Sequence, residues 1–317
     1  MSDENTHPPR PVFVHSDGSV GEPEPLMQPA EPPQTGSDGW PWHYALIAYF
    51  GAFLLATFFQ LFAFAFWELG GGNAEDDKSF LLLGSALGQL AFIGTACFVA
   101  RLAGPIRLRD FGLVRVRFWP SLAKGGAVMA CYLIAFAVYS ALVNLKADDA
   151  PDQLGAGDGN FNMLAFALLV GAMAPLGEEM LYRGVVFRAL KNGVGVVLGA
   201  AISGVLFGVL HIDSLDSERL LQVVPLCVLG FAFAIAYWWS GTLFVPIALH
   251  ATNNSLAVIY YAADNESTVG VIAGALVWLG MMAFCIFGHR LTDKEKAPPP
   301  PEPPAPVTTP FPYAPLP

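Results

Sequence analysis

The clearest pattern in the sequence is a series of apolar stretches separated by short polar segments. Each stretch is long enough, or nearly so, to cross a hydrocarbon core of about 30 Å as a helix. The pattern predicts an all-α, polytopic membrane bundle of about eight transmembrane helices, at approximately 44–67, 80–100, 121–143, 161–182, 194–211, 220–239, 243–261 and 269–288. The fifth stretch contains two GxxxG spacings, which predict close packing against a neighbouring helix, at Gly195/Gly199 and Gly204/Gly208.

Basic residues are concentrated in alternate connecting segments. The segments near 101–124, 183–191 and 290–296 carry most of the Lys and Arg, and the intervening loops are rich in Asp and Glu. Because Lys and Arg favour the cytoplasmic side, this asymmetry predicts an integral, multi-pass protein with both termini in the cytoplasm. Short loops and compact helices favour the bacterial inner (plasma) membrane. Arg188 and Lys191, together with Arg183, are expected to keep their hairpin in water or lipid headgroups.

Pro-rich segments flank the apolar region on both sides. Residues 1–40 are acidic and rich in Pro, and residues 293–317 include the run APPPPEPPAP. Neither segment can bury enough apolar area to offset the entropy cost of ordering, so both are predicted to be disordered tails around one transmembrane domain at 41–292. The alternative for the second tail is a Pro-motif ligand for a partner protein.

Composition supports a membrane protein and excludes one class of binder. Hydrophobic residues make up 54% of the chain and charged residues 13%, about half the charged share of soluble proteins. The formal net charge of −10 excludes a nucleic-acid binder built on a basic surface. The expected partner is therefore the lipid bilayer.

Ionisable side chains inside the predicted spans are costly, so each is a candidate for function. Glu178 and Glu179 end the fourth span, and Arg183 follows one turn after Glu179. On a helix Glu179 and Arg183 face each other and can form an ion pair, while Glu178 points about 100° away. The spacing therefore predicts one neutralised carboxylate and one that is free to act.

Two further polar clusters lie at a similar predicted depth. His211 ends the fifth span, and His250 and Asn254 share one face of the seventh. With the turn between the fourth and fifth spans placed at 191–193, a rise of 1.5 Å per residue puts Glu178 and His211 about 8–14 Å inside the cytoplasmic face and His250 about 12 Å inside. The three clusters are therefore expected to form one site.

A carboxylate, two imidazoles and an amide can hydrolyse an amide bond. Glu178 would act as general base on a water that His211 holds, and His250 and Asn254 would donate hydrogen bonds to the developing oxyanion. No GxSxG or HExxH motif is present. Glu178, His211 and His250 could alternatively hold a divalent metal such as zinc.

The ordered set Glu178-Glu179-x-x-x-Arg183, Phe207-x-x-x-His211 and His250-x-x-x-Asn254 resembles the CPBP intramembrane proteases. That family includes the CAAX prenyl proteases and bacteriocin-processing (Abi) enzymes, and the resemblance covers roughly residues 160–260. It implies an endopeptidase acting on membrane-associated proteins or peptides. It also implies that Glu178 and His211 activate water, that His250 and Asn254 form the oxyanion hole, and that Glu179 and Arg183 support them. A metal-dependent and a metal-free glutamate mechanism both stay open.

Two other functions are compatible with the same residues. A transporter or channel could use the intramembrane Glu and His groups to relay protons or bind an ion. A non-catalytic membrane scaffold would keep the fold and recruit partners through its tails.

Overall fold

The computed structural model describes residues 13–14, 20–21, 40–73, 77–145, 149–212 and 217–292. A small antiparallel pair is formed by β1 Phe13–Val14 and β2 Val20–Gly21. The helices are α1 His43–Leu69, α2 Lys78–Ala103, α3 Phe118–Val143, α4 Ala150–Gln153, α5 Asn160–Leu168, α6 Ala174–Leu181, α7 Arg188–Val194, α8 Val196–Val209, α9 Ser217–Ser240, α10 Phe244–Asp264 and α11 Thr268–Leu291. The predicted tails, 1–40 and 293–317, lie almost wholly outside the described residues and stay predictions.

Helices α5, α6 and α7 form one continuous rod at 160–194. Two π-helical segments, Leu169–Met173 and Tyr182–Phe187, join its three parts. With this rod counted once, the described residues contain eight helical rods of 14 or more residues, one for each predicted apolar stretch, and the fourth rod continues past its predicted end at 182 to Val194. The prediction of an all-α membrane helix bundle is confirmed.

Six of these rods are long and apolar enough to cross a membrane by themselves: α1, α2, α3, the rod at 160–194, α9 and α11. Helix α8 has 14 residues and is too short, since it rises only about 21 Å. Helix α10 has 21 residues but carries polar side chains on its inner turns, among them His250 and Asn254. Helix α8 ends just before His211 and α10 carries His250 and Asn254, whereas Glu178 and Glu179 lie on the rod at 160–194, which is long enough to cross.

The turn between the fourth and fifth rods differs from the predicted one. Helix α7 continues to Val194. Gly195, with a φ of +82°, then ends the helical backbone before α8 begins. A positive φ favours glycine, which lacks the Cβ that makes this conformation unfavourable. The predicted turn at 191–193 is therefore wrong by about two residues.

Glycines hold α8 against α9, as the GxxxG spacing predicts. A Cβ on Gly204 would lie 2.6 Å from the carbonyl oxygen of Cys227, and one on Gly208 would lie 2.9 Å from the backbone nitrogen of the same residue. Backbone atoms cannot yield as a flexible side chain can, so both positions need glycine. This close contact fixes the level at which the end of α8 lies.

Arg183 and Arg188 are buried in protein rather than placed in water or headgroups. Arg188 is 4% exposed, lies over the ring of Trp40 at 5.5 Å and donates a hydrogen bond to the carbonyl oxygen of Asp110. The expectation of a solvated hairpin end is wrong for these two residues, because neighbouring segments supply an aromatic ring and carbonyl groups that the sequence pattern does not reveal.

Large apolar side chains cover much of the outer surface of the described bundle. Phe66 is 73% exposed on α1, and Leu142 is 80% exposed on α3. An exposed apolar surface of this kind is typical of a protein that faces lipid. Glu178, Glu179, Arg183 and His250 are buried instead.

Candidate active site

Two acidic residues lie on a short α-helix between two π-helical segments. Glu178 and Glu179 are carried by α6, with the π segments immediately before and after it. In a π segment the backbone bonds run from i to i+5, so the residues that follow are rotated relative to a regular α-helix. The local backbone therefore sets the directions of the two carboxylates.

Glu179 and Arg183 form the predicted ion pair in the interior. Nη1 of Arg183 donates to Oε1 of Glu179 at 2.8 Å, and both side chains are 0% exposed. Nη2 of Arg183 donates to the carbonyl oxygen of Gly230 on α9, also at 2.8 Å. The guanidinium therefore links the rod at 160–194 to α9 while it neutralises one carboxylate.

His250 approaches both carboxylates with its two ring nitrogens. Its Nδ1 atom lies 2.9 Å from Oε1 of Glu179, and its Nε2 atom lies 3.8 Å from Oε2 of Glu178. Because an ionised carboxylate only accepts hydrogen bonds, Nδ1 is the donor and the orientation of the ring is fixed. This geometry brings Glu178 of the first predicted cluster close to His250 of the third.

Glu178 is buried but is not part of the Arg183 ion pair. It is 6% exposed, and its Oε1 atom accepts a hydrogen bond of 3.0 Å from Nε2 of Gln89 on α2. Its Oε2 atom faces His250. The two oxygens of this carboxylate therefore have different surroundings, one with an amide donor and one beside an imidazole.

Aromatic rings from α8 and α9 enclose the charged groups. The ring of Phe233 stacks on His250 with centroids 4.8 Å apart, and the ring of Phe207 meets it edge-on at 6.1 Å. The Arg183 guanidinium lies over the same two rings, at 4.9 Å from Phe207 and 5.1 Å from Phe233. Cation–π contacts and tight packing shield the ion pair from solvent.

His211 is exposed and lies next to this aromatic wall, which is formed by Phe207 and Phe233. Its Nδ1 atom is 2.9 Å from the carbonyl oxygen of Phe207, and its ring lies 4.9 Å from the Phe207 ring. Since a carbonyl oxygen only accepts, Nδ1 is the donor and Nε2 of a neutral ring is left as an acceptor. The ring of Phe207 thus contacts both His211 and His250.

Asn254 lies one turn after His250 on α10. Its Nδ2 atom donates to the carbonyl oxygen of Val170 at 2.9 Å, and its Oδ1 atom accepts from Nδ2 of Asn253 at 3.2 Å. Val170 belongs to the first π segment. The structure thus joins Glu178, Glu179, Arg183 and His250 directly, while His211 bonds to Phe207 and Asn254 bonds to Val170 and Asn253.

A metal site at these residues needs at least three gathered donors. Among the residues that the structure describes, no three His, Cys, Asp or Glu side chains are grouped so that they could hold a metal ion. The donor set Glu178, His211 and His250 is therefore not gathered as a metal site in this arrangement, although the bonds of the two Nδ1 atoms leave Nε2 of each imidazole unbonded by them.

Sequence reasoning missed Gln89 and the aromatic wall. Gln89 is the one side-chain amide in the predicted second span, 80–100, and a polar group in an otherwise apolar span could have marked it as a candidate. Phe207 belongs to one of the motifs, but no sequence signal indicates that its ring contacts both histidines. Phe233 stands among other apolar residues and has no distinguishing signal.

Comparison with known proteins matches the segment that carries this site. The family model described as "Type II CAAX prenyl endopeptidase Rce1-like" matches residues 160–256. The resemblance drawn from the motifs is confirmed. This matched segment contains Glu178, Glu179, Arg183, His211, His250 and Asn254, and Gln89 lies outside it.

Three relatives extend the comparison. The membrane-embedded CAAX protease MroQ of Staphylococcus aureus (strain USA300) is 28% identical over 109 residues, 32% of this chain and 41% of the relative. The candidate membrane peptidase YdiL of Bacillus subtilis (strain 168) is 31% identical over 121 residues, 36% of this chain and 46% of the relative. An uncharacterised 24.3 kDa protein of Escherichia coli is 27% identical over 218 residues, 64% of this chain and 95% of the relative.

The chain spans less than half the length of MroQ and YdiL. No solved structure gives a significant match to the chain. The sequence comparisons and the candidate membrane spans together support a multi-pass membrane protein related to membrane proteases.

Proposed function

We propose that this protein is an intramembrane endopeptidase that hydrolyses peptide bonds in membrane-associated proteins or peptides. The observation that carries the proposal is the buried contact between Glu178 and His250, whose facing atoms lie 3.8 Å apart. This distance is too long for a direct hydrogen bond, but an oxygen atom beside the pair could lie within hydrogen-bond distance of both. A hydrolase needs such a position for water or for a substrate carbonyl oxygen.

Glu178 is the proposed general base. Its Oε2 atom takes a proton from water while the water oxygen attacks the carbonyl carbon of the peptide. When the tetrahedral intermediate breaks down, the carbon–nitrogen bond breaks and Glu178 returns the proton to the leaving nitrogen. The products are a carboxylic acid and an amine, and the carboxylate is ready for another cycle.

His250 and Asn254 are the proposed oxyanion donors. Because Nδ1 of His250 already donates to Glu179, donation from Nε2 requires a proton on both ring nitrogens. An imidazolium ring would suit this site, since two carboxylates, Glu178 and Glu179, would balance the charges of His250 and Arg183. Asn254 keeps one amide hydrogen after its bond to Val170 and could offer it to the same oxygen.

His211 is proposed to orient the attacking water. The bond from its Nδ1 atom to Phe207 leaves Nε2 as an acceptor at the exposed edge of the site. An acceptor in that place could hold a water molecule as it enters. Glu179 and Arg183 have a supporting role, because they fix the ring of His250 and the rotation of α6.

Cleavage of a lipid-anchored peptide tests the proposal. The probe is an acylated peptide with a fluorophore and a quencher on either side of its C-terminal segment, added to purified protein in liposomes. Glu178→Gln is expected to abolish cleavage while thermal unfolding stays unchanged, because the amide keeps the shape but cannot take a proton. Asp264→Asn makes the same chemical change at an exposed position at the end of α10 and should leave cleavage intact.

The outcomes of this experiment separate the alternatives. Cleavage by Glu178→Gln at the wild-type rate would refute the proposed base. If the wild type cleaves no peptide from a set of such probes but carries protons across the liposome membrane, with a flux that depends on Glu178 and His250, the protein is a transporter. If both activities are absent and only loss of 297–317 changes the cellular phenotype, the scaffold function is favoured.

A further inference from the structure

Gln89 on α2 has a structural relationship to Glu178 that the sequence motifs do not include. Its Nε2 atom donates to Oε1 of Glu178 at 3.0 Å, across 89 positions of sequence. Gln89 is half-buried and lies outside the segment that matches the protease family, which begins at residue 160. The contact therefore joins a separate helix to the proposed general base.

Gly177 allows α2 to come this close. A Cβ at this position would lie 2.6 Å from Oε1 of Gln89 and 3.0 Å from its backbone oxygen. Any side chain at residue 177 would push α2 away from α6 and lengthen the amide–carboxylate bond. Gly177, the residue before Glu178, thus leaves the space that the Gln89 side chain occupies.

The nitrogen and the oxygen of the Gln89 amide have different surroundings, since Nε2 is bonded to Glu178. Its Oε1 atom is buried and has no hydrogen-bond partner among the residues that the structure describes. With Glu178 ionised, only the NH₂ group can bond the carboxylate. With Glu178 protonated on Oε2, its Oε1 atom is still an acceptor, so the same NH₂ group can bond the carboxyl group in both forms.

We propose that Gln89 is a positioning residue that holds Oε1 of Glu178 and so leaves Oε2 as the oxygen that exchanges protons with water and substrate. The inference rests on the proposed protease function. A general base carries a proton in one half of its cycle and none in the other, and Gln89 can bond both forms. It does not touch the reacting atoms itself.

Several titratable groups surround Glu178 and would shape its pH response. Glu179, Arg183 and Tyr182 lie on the same rod, and His250 faces it from α10. Tyr182 is close enough to interact electrostatically with both Glu178 and Tyr49 of α1. Gln89 adds a neutral donor from α2, so its replacement removes a bond without adding a charge.

The test compares two substitutions at Gln89 with a control on the neighbouring helix, using the acylated peptide probe in liposomes. Gln89→Met keeps the length of the side chain and removes the amide. We expect kcat to fall about tenfold or more with KM within about twofold, since a hydrogen bond to a charged group is lost. The acidic limb of the kcat–pH profile should move to higher pH, because the lost donor favoured the ionised carboxylate.

Gln89→Glu supplies a second and opposite prediction. A carboxyl group there can donate to Glu178 only while it is protonated. This variant should therefore recover activity as the pH is lowered from about 9 to about 5, up to the point where Glu178 itself loses function. The control Gln60→Met removes an exposed amide from α1 and should match the wild type in rate and pH profile.

Each result has a distinct meaning. If Gln89→Met keeps the wild-type kcat and pH profile while the wild type cleaves, the positioning role is wrong and the proposed function stands. If Gln89→Met does not fold, Gln89→Glu decides, and a rate that falls in parallel with wild type at every pH would overturn the inference. If the wild type and Glu178→Gln release product equally slowly, the proposed function is wrong. The role of Gln89 is then wrong as well, because it rests on that function.

Discussion

Arg183 and Glu179 form an ion pair of 2.8 Å in which neither side chain is exposed. Removing one partner of a buried pair leaves an uncompensated charge, which costs about 3–5 kcal/mol. Arg183→Met should therefore lower the free energy of unfolding in detergent by about that amount. Glu179→Gln added to Arg183→Met should recover part of the loss, because it removes the stranded carboxylate.

A matched control for this prediction exists at the surface. Lys78 and Asp158 form a pair of 3.2 Å with side chains 41% and 48% exposed. Lys78→Met should change the free energy of unfolding by less than about 1 kcal/mol, as for other solvated pairs. Equal effects of Arg183→Met and Lys78→Met would show that burial does not make the interior pair different.

The packing of α8 on α9 can be tested through a single methyl group. Gly204→Ala would place a Cβ 2.6 Å from a backbone oxygen of α9, so we expect a loss of about 1–3 kcal/mol in stability and a fall in cleavage as the end of α8 moves. Gly126→Ala on α3 meets no atom within 4 Å. That control should be neutral or slightly stabilising, and a similar loss there would argue that glycine flexibility matters more than helix contact.

Asn254 should matter more for cleavage than its neighbour Asn253. Asn254→Ala removes a proposed oxyanion donor, so kcat should fall by about 10²–10³-fold. Asn253→Ala removes only a bond to Oδ1 of Asn254 and should cost less than about tenfold. Steady-state kinetics on the acylated probe measures both variants, and an equal loss in the two would assign Asn254 a structural role.

Cleavage should survive removal of metal ions. The expectation follows from the donors, since Glu178, His211 and His250 are not gathered as a zinc site requires. Protein dialysed against a strong chelator and checked by elemental analysis should keep its rate. A rate that is lost on chelation and restored by zinc alone would show that the donors rearrange around a metal in the active state.

The predicted orientation of the chain in the membrane can be tested with reporter fusions. If both termini are cytoplasmic, green fluorescent protein fused after residue 292 should fluoresce, and alkaline phosphatase fused after residue 266 should be active on the other side. The reverse pattern would show that the Lys and Arg asymmetry does not set the orientation here.

The sequence allowed prediction of the rods and of much of the site. Apolar length located the rods within a few residues, because burial in lipid demands a continuous apolar run, except that the fourth was predicted to end at 182 and continues to Val194. The i, i+4 spacing predicted that Glu179 would pair with Arg183 and leave Glu178 apart. The helical rise per residue predicted that Glu178 and His250 lie at similar depths in the membrane. Apolar length, residue spacing and helical rise depend only on the order of residues along the chain, so they can be read from the sequence.

What the sequence did not predict depends on contacts between distant segments. Gln89 approaches Glu178 only because Gly177 leaves room for α2, and Arg188 is buried because Trp40 covers it. The two π-helical segments have no periodic signal of their own. The ring of Phe207 contacts both His211 and His250, and residue spacing along the chain carries no information about such ring contacts.

The short length of α8 has a consequence for the chemistry itself. Hydrolysis consumes water, and a site inside hydrocarbon must obtain it. A helix of 14 residues leaves about a third of a 30 Å hydrocarbon layer unspanned. The lipid next to its end must thin or let in solvent, and His211 stands at that end, exposed, where hydration would first reach the interior carboxylate.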